Sequence, residues 1–347
     1  MQYTNIYSAT LKWYNKNKRD LPWRISKDPY KIWLSEIMLQ QTQVNTVIPY
    51  YTSWLKRYKT IHDVANADID ELLKSWEGLG YYSRCRNFYD ASKIVVEKYN
   101  GAIPDTYEEF ILLPGVGNYI ANAVLSMAYN KNLAAIDVNL KRVFCRMLGF
   151  KKYTKHNIKK IEKLAFRLTQ LGQAGDLNQA IMDIGSQICT PRRPLCDKCP
   201  NRKYCKAYAS GNPHRYPEKI QAKKLSTKKM IAALIMLNDK FLIVKRKEKG
   251  LLGGLWEFPT FEYHDKKQQA LAKLLLKRYN NNILVKSKIG KVKHSYSHFK
   301  VDADLFLCTT TKKIKSEMET KWISFDEFNN YAFSKINHKL IQLVKYD

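Results

Sequence analysis

The chain has 347 residues, 45% of them apolar, and carries 60 Lys and Arg against 31 Asp and Glu, a formal charge of +29. That length predicts two or three domains rather than one, and that apolar fraction excludes a chain disordered by composition. So large a cationic surplus points to a polyanionic partner, because each phosphate neutralised releases counterions, although a Lys-rich codon bias gives the same composition. No apolar run reaches the roughly 18 residues of a membrane-spanning helix, and no long basic amphipathic helix stands out. The opening residues lack a basic segment followed by an apolar one, so a bacterial cytoplasm is expected and no membrane partner. Seven cysteines, an odd number with four in one short stretch, argue for a metal site in a reducing compartment and against a disulfide framework.

Taken in chain order, residues 1 to about 150 read as helices. Pro29 precedes Tyr30–Leu39, whose apolar residues recur at helical spacing. Further helices are expected near 69–77, 83–100, 118–129, 139–148 and 156–171, with Gly78, Gly80, Gly101 and Pro114-Gly115-Val116-Gly117 as punctuation. After about residue 208 the texture changes. Gly211-Asn212-Pro213-His214-Arg215-Tyr216-Pro217 cannot continue a helix, and a basic stretch runs from 219 to 229. Ile231–Leu237 and Phe241–Val244 flank Asn238-Asp239 as a β-hairpin. Trp256-Glu257-Phe258, a helix at about 266–279 and strands near 283–309 complete an α+β domain. The expected organisation is therefore an all-α domain over 1–208, a linker over 209–228 and a second domain over 229–347.

Cys189, Cys196, Cys199 and Cys205 are spaced C-x6-C-x2-C-x5-C, and four thiolates so close can wrap one compact centre. A 4Fe–4S cluster and a tetrahedral zinc would each satisfy them, but zinc ribbons usually carry two C-x2-C pairs and only Cys196 and Cys199 form one here. Upstream, Gly115 and Gly117 permit a tight turn with exposed N–H groups beside a helix N-terminus, which is an anion site or an ordinary interhelical turn. Asp137, between an apolar run and a new helix, reads by pattern alone as an N-cap. Glu36, amid apolar and amide neighbours, is either a solvated-face residue or a buried acid with a raised pKa.

Together these segments resemble the endonuclease III and MutY superfamily of DNA glycosylases over roughly residues 5–215. The resemblance implies an all-α helix-hairpin-helix domain whose cluster loop, 189–205, holds a 4Fe–4S cluster through Cys189, Cys196, Cys199 and Cys205. In that family the cluster orders a loop whose basic residues face DNA, here Arg192, Arg193, Lys198, Arg202 and Lys203. The turn at Gly115 and Gly117 matches the hairpin that grips a DNA phosphate, and Asp137 matches the superfamily's aspartate. The stretch around Glu36 resembles the signature of the MutY branch, where the glutamate protonates adenine and helps activate water. Tyr119 stands where bifunctional members carry a lysine that forms a Schiff base, so base removal without efficient lyase chemistry is implied. Asn139 matches a residue that positions the catalytic groups.

A base inside a duplex must be flipped out, and minor-groove proteins hold the stack open with inserted side chains. Gln40, Gln41 and the run Gly78–Asn87, including Tyr82, Arg84 and Arg86, match the family segments that do this, with Tyr82 expected as the wedge and Gln41 as a filler; by pattern alone Tyr81 and Tyr82 are core aromatics. Leu21-Pro22-Trp23-Arg24 fits the family's N-terminal motif. Residues 229–347 resemble the MutT-like (Nudix-like) domain at the MutY C-terminus through Gly250–Pro259. Nudix hydrolysis needs a Glu-rich helix, yet no Glu lies between Glu262 and Glu317, so recognition without pyrophosphatase activity is expected. His294–Phe299 matches the loop that contacts 8-oxoguanine, with Tyr296 where the family has Phe and with Ser297 and His298 intact. The resemblance implies a monomeric, monofunctional adenine DNA glycosylase acting on double-stranded DNA, associated with the nucleoid, that removes adenine opposite 8-oxoguanine or guanine, with retention at the sugar. Two rivals remain: a bifunctional pyrimidine-lesion glycosylase–lyase, and a zinc-holding DNA-binding protein without catalysis.

Overall fold

The computed structural model describes residues 2–218, 225–263, 267–280 and 283–344, so part of the expected linker, 219–224, lies outside the described residues. The helices are α1 (Gln2–Asn17), α2 (Pro29–Leu39), α3 (Val44–Arg57), α4 (Ile61–Asn66), α5 (Ile69–Ser75), α6 (Ser83–Tyr99), α7 (Tyr107–Phe110), α8 (Asn118–Tyr129), α9 (Val138–Leu148), α10 (Lys155–Thr169), α11 (Ala174–Asp183) and α12 (Lys206–Ala209). Strands β1 (Ser226–Leu237), β2 (Lys240–Lys245), β3 (Trp256–Glu257) and β4 (Thr260–Glu262) follow. Then come α13 (Lys267–Tyr279), β5 (Leu284–Ser295), β6 (Phe299–Thr309), β7 (Thr320–Ile323) and α14 (Lys335–Val344). Among the described residues no helix is long and apolar enough to cross a membrane.

Two compact units form: Met1–Asn66 with Asn87–Gln221, and Ala67–Arg86 with Ala222–Asp347. The division departs from the expected boundaries at 67–86, which groups with the C-terminal residues. Ion pairs and hydrogen bonds account for this. Asp70 takes Lys245 at 2.9 Å, Lys74 Nζ donates to the Tyr331 carbonyl at 3.1 Å, and Glu77 accepts from the Phe333 N–H at 2.7 Å and meets His338 at 2.8 Å.

In the helical unit, sequence signals set the helix ends that matter for the site. Asp28 caps α2 by accepting from the Tyr30 N–H, with Pro29 at its first turn. Asp137 caps α9, and Gly149, at φ +72, ends it in a left-handed turn. Leu140, Val143 and Phe144 of α9 pack with Ile6 and Leu11 of α1, Ile161, Leu164 and Leu168 of α10, and Leu177 and Ile181 of α11. A second cluster joins Trp33 of α2 edge-on to Phe88 and Phe110, with ring centroids 4.8 and 5.1 Å apart. Because α2 packs on α8, residues of the two helices meet although some 80 positions separate them.

The second unit is built on a seven-stranded sheet with the path β3-β2-β1-β6-β5, β4 pairing β1 and β7 pairing β2. Its centre is the parallel pair β1–β6, in register from Ser226↔Phe299 to Met236↔Thr309. The expected hairpin forms, but β1 and β2 pair only at Met236↔Phe241 and Leu237↔Lys240. Alternate residues of β1 face opposite layers: Ala232 and Leu234 join α14 through Leu340 and Ile341, while Ile231, Ala233 and Ile235 join α13 through Leu271 and Leu275.

Candidate functional site

Glu36 lies on α2 with 4% of its surface exposed, so of the two readings open to the sequence the buried acid is the one observed. The Tyr119 hydroxyl, in the first turn of α8, donates to Glu36 Oε2 at 2.5 Å. Burial pushes the Glu36 carboxyl up to about 7; the Tyr119 hydrogen bond opposes this, the negative charge of Asp137 adds to it, and Arg24 acts against it. The Tyr119 phenol is pushed well above its ordinary value by burial and by both carboxylates, so it remains a donor.

Asp137 is the N-cap of α9, as its pattern suggested, accepting from the Leu140 N–H at 2.7 Å. Its other oxygen accepts from Asn139 Nδ2 at 2.7 Å. The capping role and the proximity to Glu36 coexist, because a cap residue holds a carboxylate at a fixed point on the positive end of a helix.

Sequence reading missed what stands behind Asn139. Arg142, one turn along α9, donates to Asn139 Oδ1 at 2.8 Å, to the Gly185 carbonyl at 2.6 Å and to the Cys189 carbonyl at 2.8 Å. It missed Arg146 as well, buried at 2% exposure and donating to the carbonyls of Cys189, Thr190, Pro191 and Tyr216 and to Cys189 Sγ at 3.2 Å. Asp183 at the end of α11 is fully buried between Arg24, at 2.7 and 3.1 Å, and Arg19, also at 2.7 Å. The only signal for these was the four-residue spacing of Arg142 and Arg146 on α9 and the flagged Leu21–Arg24 motif.

Cys189, Cys196, Cys199 and Cys205 are electrostatic neighbours, and burial together with their mutual charges pushes the Cys196 and Cys205 thiols up and that of Cys199 to about 12. Arg192, Arg193, Lys198, Arg202 and Lys203 of this loop are exposed. Among the described residues no group of three or more His, Cys, Asp or Glu has the geometry to hold a single metal ion.

At the turn before α8 Gly115 has φ +76, and a Cβ there would stand 2.7 Å from Asn87 Cβ. Gly117 caps α8 in extended backbone that any residue adopts; what it contributes is open space, with nothing within 4 Å of an added Cβ. Gln40 ends α2, and Gln41 follows it, exposed and at φ +55.

In the second unit the expected DNA contacts lie on two loops. Tyr82 is 6% exposed and its hydroxyl accepts the Gly78 N–H at 3.2 Å, so it packs within its own loop. Its neighbour Tyr81, at φ +49, is partly exposed and its hydroxyl lies 2.6 Å from Ser297 Oγ. Arg84 is likewise buried at 8%, bonded to the carbonyls of Leu79, Gly80 and Tyr81 and stacked over Trp76, and burial pushes its guanidinium down to about 10. It buttresses the loop. Arg86, also read as a DNA contact, donates to the Gly253 carbonyl.

Tyr296, Ser297 and His298 form the tip between β5 and β6, closed by the Tyr296 N–H donating to the Phe299 carbonyl at 2.9 Å. Ser297 and His298 are exposed. The hydroxyl that Tyr296 adds relative to Phe bonds Ser334, and its ring packs edge-on to His294 at 4.5 Å. The tip and the loop at Tyr81 line one cavity of about 320 Å³. On the other face, α13 carries no Glu or Asp at all.

Residues 34–167 match the family described as HhH-GPD superfamily base excision DNA repair protein, and residues 231–343 match the NUDIX domain. The adenine DNA glycosylase of Homo sapiens is 31% identical over 405 residues, covering 99% of this chain and 74% of that protein. That of Buchnera aphidicola subsp. Schizaphis graminum (strain Sg) is 34% identical over 346 residues, covering 96% and 97%. Among solved structures, a thermostable thymine-DNA glycosylase is 32% identical with a TM-score of 0.56, covering 60% of this chain and 97% of that one. A non-covalent endonuclease III–DNA complex, at 22% identity and TM-score 0.51, shares the fold of the helical unit.

Proposed function

Since the chain belongs to the adenine DNA glycosylase family and is a base excision repair N-glycosylase, we propose that it removes adenine paired with 8-oxoguanine or guanine, and that Glu36 and Asp137 carry the chemistry. The observation that carries this reading is a fully buried carboxyl held by a phenol hydroxyl beside a second carboxylate. Two carboxyl groups in unlike environments divide into an acid and an ion. Glu36, with its pKa near neutrality, gives its proton to adenine N7, and the C1′–N9 bonding pair leaves with the base. Asp137, its two oxygens held by the Leu140 N–H and Asn139 Nδ2, stabilises or traps the sugar cation. Water then adds at C1′, and the Glu36 carboxylate takes its proton, leaving free adenine and an abasic site with retained configuration. Tyr119 fixes one oxygen of Glu36 and leaves the other for proton transfer. Asn139 fixes Asp137 in the same sense.

The open N-terminus of α8 at Gly117 suits a DNA phosphate. Gln41 and Tyr82, with the partly exposed Tyr81 beside it, are the residues proposed to fill the stack from which the base leaves. Ser297 and His298 are proposed to read the opposite base. The four cluster-loop thiols fit a 4Fe–4S cluster: they are electrostatic neighbours, all four donors are cysteine sulfurs, and Arg146 places a positive charge on Cys189 Sγ. Cys189, Cys196, Cys199 and Cys205 would hold it, and when bound it supplies a cross-link that orders the basic loop. The chain is proposed to act as a monomer in the bacterial cytoplasm.

The test is a single-turnover assay on a duplex with one adenine opposite 8-oxoguanine, divided into samples with and without hot alkali. Strand cleavage only after alkali is the expected result. Cleavage without alkali means that lyase chemistry occurs despite Tyr119, and no cleavage from protein that holds its cluster sinks the adenine assignment.

A further inference from the structure

A groove of about 350 Å³ opens in the helical unit where the first turn of α1, the end of α9, α10 and the start of α12 meet. Lys160, Lys163 and Arg167, on one side of α10, and Lys206 of α12 bring four cations to it, and no carboxylate lines it. All four are exposed, and among the described residues none pairs with an acid; Arg167 instead donates to the Tyr3 hydroxyl at 2.7 Å and lies over that ring. The first N–H groups of α1, a helix of 16 residues, add the positive end of a dipole. The floor is different in kind. Ile6, Met147, Leu148 and Leu164 supply an apolar surface, and Tyr204 an aromatic one.

Cations around an aromatic and apolar floor are what a flexible nucleic-acid strand requires: phosphates take the rim and bases stack inside. A duplex, about 20 Å across and convex, presents no unstacked base to such a groove. The groove lies at the C-terminal end of α9, whose N-terminal end is capped by Asp137. Eleven residues at 1.5 Å each separate the two by about 16 Å, beyond the reach of the flipped nucleotide itself. We propose that this groove is a second nucleic-acid site, which binds an unpaired strand independently of the duplex held at Glu36 and Asp137. The inference rests on the reading of the chain as a DNA enzyme, though not on its base specificity.

The test is the anisotropy of a labelled thymidine oligomer of about twelve nucleotides with the full-length protein in its cluster-loaded form. It is measured while a short unlabelled duplex carrying adenine opposite 8-oxoguanine saturates the lesion site. The oligomer is expected to bind still. Lys160→Gln with Lys163→Gln should weaken it about fivefold and lower the salt slope by about 1.4, at about 0.7 per phosphate contact on a single strand. An oligomer of abasic units should bind several-fold more weakly, for want of stacking. Excision from the duplex, read separately, reports on the catalytic assignment and is expected to be unchanged in the double variant. One-for-one displacement of the oligomer by the duplex would overturn the proposal, as would wild-type binding by the double variant or equal binding of the abasic oligomer.

Discussion

Glu36 and the Ser297–His298 tip are each proposed to meet a base, and their surroundings could hardly differ more. Glu36 sits inside a helix, 4% exposed, with its carboxyl raised to about 7 and one oxygen held by Tyr119. Ser297 and His298 stand exposed on a three-residue turn between strands, beside a cavity. An acid that must donate at neutral pH needs desolvation, which packed helices provide, whereas a reader of a base edge needs donors and acceptors at the surface, which a hairpin tip provides. The comparison also separates what each costs: the first region carries a buried ionisable group, while in the second Ser297 is paired with Tyr81 of its own unit and His298 stands exposed.

The strongest way to break that contrast is to neutralise the acid. Glu36→Gln should lower the single-turnover excision rate by about 10³-fold or more, with binding to the duplex retained. Asp137→Asn should do likewise, with little loss of stability, because Asn caps a helix as well as Asp does. A rate within tenfold of wild type in either variant would remove that carboxyl from the chemistry.

Next in size is the frame behind the acid. Arg146→Met removes five hydrogen bonds, made by three guanidinium nitrogens to four carbonyls and Cys189 Sγ, and should cost about 3–5 kcal/mol. The loss is expected in the denaturation midpoint together with bleaching of a cluster absorbance near about 400 nm. Retention of both would show that the loop is ordered without this arginine.

The third prediction follows from the raised Glu36 pKa. The folded state holds a proton that the unfolded chain releases near the ordinary carboxylate value of about 4.5. Stability from this group is therefore fully present below that pH and is lost as pH rises through about 7, by about 3 kcal/mol. Glu36→Gln should thus be the more stable protein at pH 8 and no more stable at pH 4.5. The wild-type excision rate should fall about tenfold per unit above about pH 7. A rate that is flat to pH 9 would mean that the proton comes from elsewhere.

The smallest effect belongs to the tip. Tyr296→Phe removes the hydroxyl that bonds Ser334 and leaves the ring against His294, so about 1 kcal/mol of stability is expected to go. Discrimination between 8-oxoguanine and guanine should be unaltered. A large change in that discrimination, measured as the ratio of excision rates, would mean that the hydroxyl itself faces the base.

The chain's own pattern determined a good deal. Helical spacing after Pro29, the Gly and Pro punctuation and the change of texture near 208 gave the all-α and α+β halves, because period and breakers are local properties of a chain. The four-cysteine spacing marked the four thiols as neighbours for the same reason. Tertiary structure decided the rest. Whether Glu36 was a surface residue or a buried acid depended on α8 packing over α2, which no local pattern encodes. Tyr81 and Tyr82 are alike in sequence, and only the folded loop turned one inward onto Gly78 and left the other partly exposed. The parallel β1–β6 pairing and the attachment of residues 67–86 to the C-terminal unit come from hydrogen bonds between segments far apart in the chain. Arg142, Arg146 and Asp183 escaped notice because a buried charge is recognised by its partners, and those partners are brought to it only by folding.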